Sequence, residues 1–211
     1  MKFAGSESWT ISVDQWDQKL DLALWIRAAE RIDVPAGGLF PGPLDLDPVP
    51  GPTVADGASL AEGWRFWWTA LLDTPKPRPP FPPEQMEVLR RNSPPDFDVL
   101  ADFPALQRVV RSRWQEANGW HSARKRAGFE AFMSARQNTN GPGPQGEGTV
   151  VQAVEEELGH KAAPFQLKLI FLPVRDDEIR AVTDHKFLIP DRLHESELYE
   201  SWLYRTVRAM A

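Results

Sequence analysis

The chain has 211 residues, 42% hydrophobic and 26% charged, which suits a soluble globular protein with a real core and excludes an intrinsically disordered one. It has no cysteine, so disulfides, thiolate catalysis, zinc fingers and iron–sulfur ligation are excluded. A formal net charge of −6 argues against nonspecific nucleic-acid binding by the whole surface.

Met1 to Ser6 lacks the apolar core of a secretory signal, and no apolar run is long enough to span a bilayer, so the expected compartment is the cytoplasm with no membrane partner. Trp9, Ile11 and Val13 alternate with polar residues and predict a short strand. From an N-cap at Asp14, Trp16, Leu20, Ala23, Leu24 and Ala28 follow at helical steps, and Val34-Pro35 stops the helix. Pro35 to Pro52 is too rich in proline and glycine for helix or central strand and reads as a loop.

Ser59-Leu60-Ala61-Glu62 has the spacing of a capping box. Behind it Leu60, Trp64, Trp67, Trp68, Leu71 and Leu72 form one wide apolar stripe, the expected anchor of the helical core. Thr74 to Pro83 carries Pro-Lys-Pro-Arg-Pro-Pro-Phe-Pro-Pro, an extended polyproline II connector that also contains PxxP spacings. A short helix from Pro83 to Asn92 is predicted with Met86 and Leu89 inward.

Phe103 to Arg136 is the longest helical stretch, with Val109, Val110, Ala117 and Trp120 toward one face. Asn118-Gly119 predicts a break into two helices. This segment holds seven cations against Glu116 and Glu130, a net +5, which leaves −11 on the rest. Asn138 to Gly148 reads as a flexible loop, and Thr149 opens a helix with Val150, Val151, Val154 and Leu158 inward that Gly159 ends.

Phe165, Leu167, Leu169 and Phe171 predict a strand, with Ile170 and Leu172 making its far end apolar on both faces. Arg175-Asp176-Asp177 supplies turn residues, so Glu178 to Thr183 is expected to return as the second arm of a hairpin. His185 to Ile189 predicts a third strand. Leu198, Tyr199, Trp202, Leu203, Thr206, Val207 and Met210 predict a closing helix capped by Ser196, with Trp202 buried against the sheet.

Together these elements predict one α+β domain over 1–211. Its small, mainly antiparallel sheet comes from the C-terminal third and packs against several helices joined by long proline-rich loops. The helical part runs over about 14–136, and the C-terminal part over 149–211.

Three constellations bear on function. Glu157-Leu158-Gly159-His160 matches the Glu-x-x-His half of a carboxylate-bridged metal site, but Gly159 takes His160 off the helix face. Asp184-His185 and His194-Glu195 flank the third strand, and Asp184 or Glu157 could orient an imidazole for acid/base catalysis. Arg108, Arg111, Arg113, Trp120, His121, Arg124, Lys125 and Arg126 interleave cations with aromatics, the pattern of an anion or single-strand nucleic-acid binder. No G-x-S-x-G and no P-loop is present. Strong structural signals beside weak catalytic ones favour a non-catalytic interaction or accessory protein with a protein partner and no cofactor. An enzyme at His185, His194 and Glu157 is the first alternative, and nucleic-acid binding the second.

Overall fold

A computed structural model describes residues 9–46, 48, 50–53, 58–74, 82–138, 146–194 and 196–211. The chain is α+β, and it divides into two compact units. One comprises residues 1–15, 126–172 and 177–211, and the other residues 16–125 and 173–176.

The first unit holds a four-stranded sheet in the order β1 (Thr10–Asp14), β2 (Gln166–Leu172), β4 (Lys186–Pro190), β3 (Arg180–Thr183). β1 and β4 both run parallel to β2, and β3 alone is antiparallel to its neighbour. The expected mainly antiparallel sheet is therefore corrected to a mixed sheet with two parallel pairings. The expected hairpin of β2 with Glu178 to Thr183 is corrected too, since β3 pairs with β4. The cause lies in the side chains: Phe187 and Ile189 of β4 face one side and a buried Leu188 the other, so β4 suits the interior. The shorter β3 takes the edge.

Two helices, α5 (Glu147–Leu158) and α6 (Glu197–Met210), pack against each other in this unit. Val151, Val154, Leu203 and Val207 join Leu167, Leu169, Phe171 and Ile189 in one core cluster. Gly159 closes α5 at φ 72°, the left-handed conformation that favours glycine. Ser196 caps α6 by accepting from the Tyr199 amide at 3.2 Å, as its position predicts. Trp202 is half-buried rather than fully buried and meets Phe187 edge-on at 5.0 Å, while Leu198 is exposed.

The second unit is helical: α1 (Gln18–Ala29), α2 (Ala61–Asp73), α3 (Pro83–Arg91) and the first part of α4 (Pro104–Asn138). α1 starts later than expected because Asp17, not Asp14, is the N-cap, accepting from the Leu20 amide at 3.3 Å. Every residue from Leu20 to Ile26 is buried, so α1 is enclosed nearly all round. All six residues of the predicted α2 stripe are buried. Trp64 donates to the Ala23 carbonyl at 2.8 Å, Trp68 to the Leu39 carbonyl at 2.8 Å, and the two rings stack at 5.3 Å. These bonds satisfy indole donors that burial would otherwise strand. α2 is preceded by a 3-10 turn over Ala58–Leu60, and its N-cap is Leu60, which makes no side-chain capping bond.

Three further expectations change. α4 is one helix straight through Asn118 and Gly119, because an interior glycine costs only about 1 kcal/mol relative to alanine and the turns before it are anchored by burial. α3 has no buried residue, and Met86 is exposed rather than inward. α5 begins at Glu147 with Gly146 as N-cap, Thr149 bonding back to the Gly146 carbonyl. The PxxP connector over 75–81 and most of the glycine-rich loop, 139–145, lie outside the described residues. Among the described residues no helix is long and apolar enough to cross a membrane.

Candidate functional site

The histidine and carboxylate candidates belong to different places in the sheet unit. Asp184 and His185 form the exposed turn between β3 and β4, where the His185 amide donates to Thr183 Oγ1 at 3.2 Å. His194 lies beyond the other end of β4, its ring edge-on to Phe171 at 4.8 Å. The five residues of β4 lie between the two histidines, so His185 sits by Lys168 at one end of the strand and His194 by Phe171 toward the other. Glu157, on α5, accepts from the Tyr204 hydroxyl and from Arg208 Nε at 3.1 Å, both on α6. Its chemistry there is to tie two helices together. His160 is exposed past the end of α5, with Nδ1 3.0 Å from the Lys161 carbonyl. Among the described residues no group of three or more His, Cys, Asp or Glu could hold a metal ion.

The basic segment resolves into two halves of α4. In the first half, Leu106, Val109, Val110, Ala117 and His121 are buried. On an ideal helix at roughly 100° per residue they occupy one arc of about 120°. Cations of this half meet carboxylates of the same unit. Arg111 lies 3.8 Å from Asp96, and Arg113 lies 3.3 Å from Glu30, 3.2 Å from Glu116 and 5.0 Å above the Trp25 ring.

The densest point is Asp21 on α1, a residue 1% exposed inside an otherwise apolar run. One of its oxygens, Oδ2, meets His121 Nδ1 at 2.7 Å and Arg124 Nη1 at 2.9 Å. A buried carboxylate is costly unless polar partners meet it, and α4 brings the Arg124 guanidinium and the His121 ring to it from adjacent turns. Asn118, one turn earlier, accepts from Gln18 Nε2 at 2.6 Å. Glu30 is likewise fully buried and accepts from the amide and hydroxyl of Thr53 at 2.8 and 2.9 Å. Arg113, His121 and Arg124 thus work as internal ties. Trp120 is half-buried, and Arg108 is exposed with its Nε 3.4 Å from the Pro104 carbonyl.

Past His121 the helix changes character. No side chain from Ser122 to Ser134 is buried, and Phe129, Phe132 and Met133 are 54%, 49% and 38% exposed. Their i, i+3, i+4 spacing puts them on one stripe, with Lys125 on the same arc and Arg126 at its border. That stripe is rotated by roughly 130° from the buried arc of the first half, so it does not continue the same core face. Sequence reasoning assigned these three residues no role, yet the rotation is present in the sequence as a shift of phase between Val109/Val110/Ala117 and Phe129/Phe132/Met133. Asp21 left no comparable signal, because an acid inside a helix is ordinarily solvated.

What this arrangement can do is bind. Two adjacent aromatic side chains and a flexible thioether offer a large, adaptable apolar contact, and the neighbouring ammonium and guanidinium groups give it a sign. Comparison with protein-family models, with curated proteins and with solved structures finds no match for this chain.

Proposed function

We propose that this chain is a non-catalytic interaction protein that holds a partner protein through the uncovered second half of α4. The observation that carries the reading is the stripe of Phe129, Phe132 and Met133, three large apolar side chains left in water on one helix face. Scattered exposed apolar residues are ordinary, whereas aromatics grouped at helical spacing are what interfaces are made of. The absence of cysteine fits a reducing compartment, and the reading places the protein in the cytoplasm.

The alternatives draw less support. An enzyme at His185, His194 and Glu157 would need those side chains in one concave site, but β4 separates the histidines and Glu157 is engaged by Tyr204 and Arg208. Nucleic-acid binding from Arg108 to Arg126 would need cations free to meet phosphates, whereas Arg111, Arg113 and Arg124 meet carboxylates.

The test is affinity capture from the native cell with the wild-type protein and with Phe129→Ser/Phe132→Ser, read by mass spectrometry. Partners retained by the wild type and lost by the double variant, at unchanged circular dichroism and melting midpoint, support the reading. The same proteins captured by both would overturn it.

A further inference from the structure

Resting on that reading, the charge around the stripe narrows its occupant, and we infer that it is an acidic amphipathic helix of another protein. The exposed Arg108 near the start of α4 meets the Pro104 carbonyl, while three cations of the helix meet carboxylates, Arg111 at Asp96, Arg113 at Glu30 and Glu116, and Arg124 at Asp21. Lys125 and Arg126 come next in the chain, are exposed, and make no ion pair among the described residues. Lys125 and Arg126 are the exposed cations beside the uncovered apolar stripe.

On an ideal helix Lys125, Phe129, Phe132 and Met133 fall within about 100° of arc, and Arg126 lies roughly 20° beyond its edge. Glu130 is the single carboxylate between Ser122 and Ser134, and it lies further round, past Arg126. Residues three and four apart form the ridges that fit between the ridges of a second helix. The complement is a helix with apolar side chains at i, i+3 or i+4 and i+7, bordered by Asp or Glu.

The other occupants fit less well. In a parallel two-fold pair of this chain Lys125 and Arg126 would face cations of like sign, whereas an acid-bordered helix answers both. An anionic bilayer presents an extended plane, and the chain outside the +5 segment carries −11, which such a plane repels over a Debye length of about 8–10 Å. A single helix about 10–12 Å across covers the stripe alone.

The experiment uses the full chain and two synthetic helical peptides of about 18 residues. Both carry the same leucines and phenylalanines at i, i+3, i+4 and i+7; one is bordered by glutamates and the other by lysines. Fluorescence anisotropy is expected to show the glutamate peptide binding at least about tenfold tighter, an advantage that shrinks in roughly 0.5 M salt. Lys125→Glu/Arg126→Glu is expected to reverse the preference, and Phe129→Ser/Phe132→Ser to abolish binding of both peptides. Equal affinity for the two peptides, no binding of either, stripe-dependent binding to phosphatidylserine vesicles in preference to the peptide, or concentration-dependent self-association lost in Phe129→Ser/Phe132→Ser would each overturn the acidic-helix assignment. The interaction reading fails on a different result, namely identical capture by the wild type and the serine variant.

Discussion

The two halves of α4 are made of similar residue types and do opposite things. From Pro104 to His121, Leu106, Val109, Val110 and Ala117 are in phase with one another and buried. From Ser122 to Ser134, Phe129, Phe132 and Met133 stay in water. Charge varies along the helix as well, since Arg111, Arg113 and Arg124 meet carboxylates, whereas Arg108, Lys125 and Arg126 have none among the described residues. Composition therefore does not decide whether a helix segment is core or surface. Phase relative to the buried arc does.

The most damaging test of this contrast is to remove the acid that ties down the first half. Asp21→Ala leaves His121 and Arg124 facing an empty, desolvated place and is expected to destabilise by about 3–5 kcal/mol, read by chemical denaturation. In the double-mutant cycle with Arg124→Met, the combined loss should fall well short of the sum, because the two changes break one shared network. Next is Leu106→Ala, which empties a fully buried site in the first half at an expected cost of about 2–5 kcal/mol.

Smaller, and opposite in sign, is Gly119→Ala. A methyl group there would have nothing within 4 Å, and the residue is helical, so the substitution is expected to raise stability by about 0.4–1 kcal/mol. A loss of stability would show that the helix breaks at Gly119 after all. Smallest is Phe129→Ala in the second half, expected to move stability by less than about 0.5 kcal/mol while lowering partner capture. If Phe129→Ala cost as much as Leu106→Ala, the contrast between the halves would collapse.

What could be read from the sequence was what periodicity controls. The stripes of α2 and α6 and the alternation of β2 run long enough to specify which face turns inward, and Trp64, Trp67, Trp68, Leu203 and Leu169 are buried accordingly. Periodicity does not name a strand's neighbour. The turn residues at Arg175 to Asp177 suggested a hairpin, whereas β2 takes β1 and β4 beside it and β3 waits at the edge. Asn118-Gly119 failed as a break for a related reason: a local preference of about 1 kcal/mol is outweighed by burial in the turns before it. Of the candidate site residues, the sequence grouped His121 and Arg124 with exposed cations. Their inward role depends on Asp21, a hundred positions away, and no local pattern announces that.

The parallel pairing of β1 with β2 also bears on how the chain is made. Thr10 aligns with Gln166 and Asp14 with Ile170, so β1 leaves the ribosome well before the strand it pairs with. At roughly 5–20 residues per second, β1 waits on the order of 10–30 s before β2 is synthesised, and β4 follows later still. The helices α1 to α3 and the first half of α4 are synthesised in that interval, before the sheet can pair. Long-range strand pairing of this kind is slow to nucleate, so folding of the sheet unit should lag that of the helical unit.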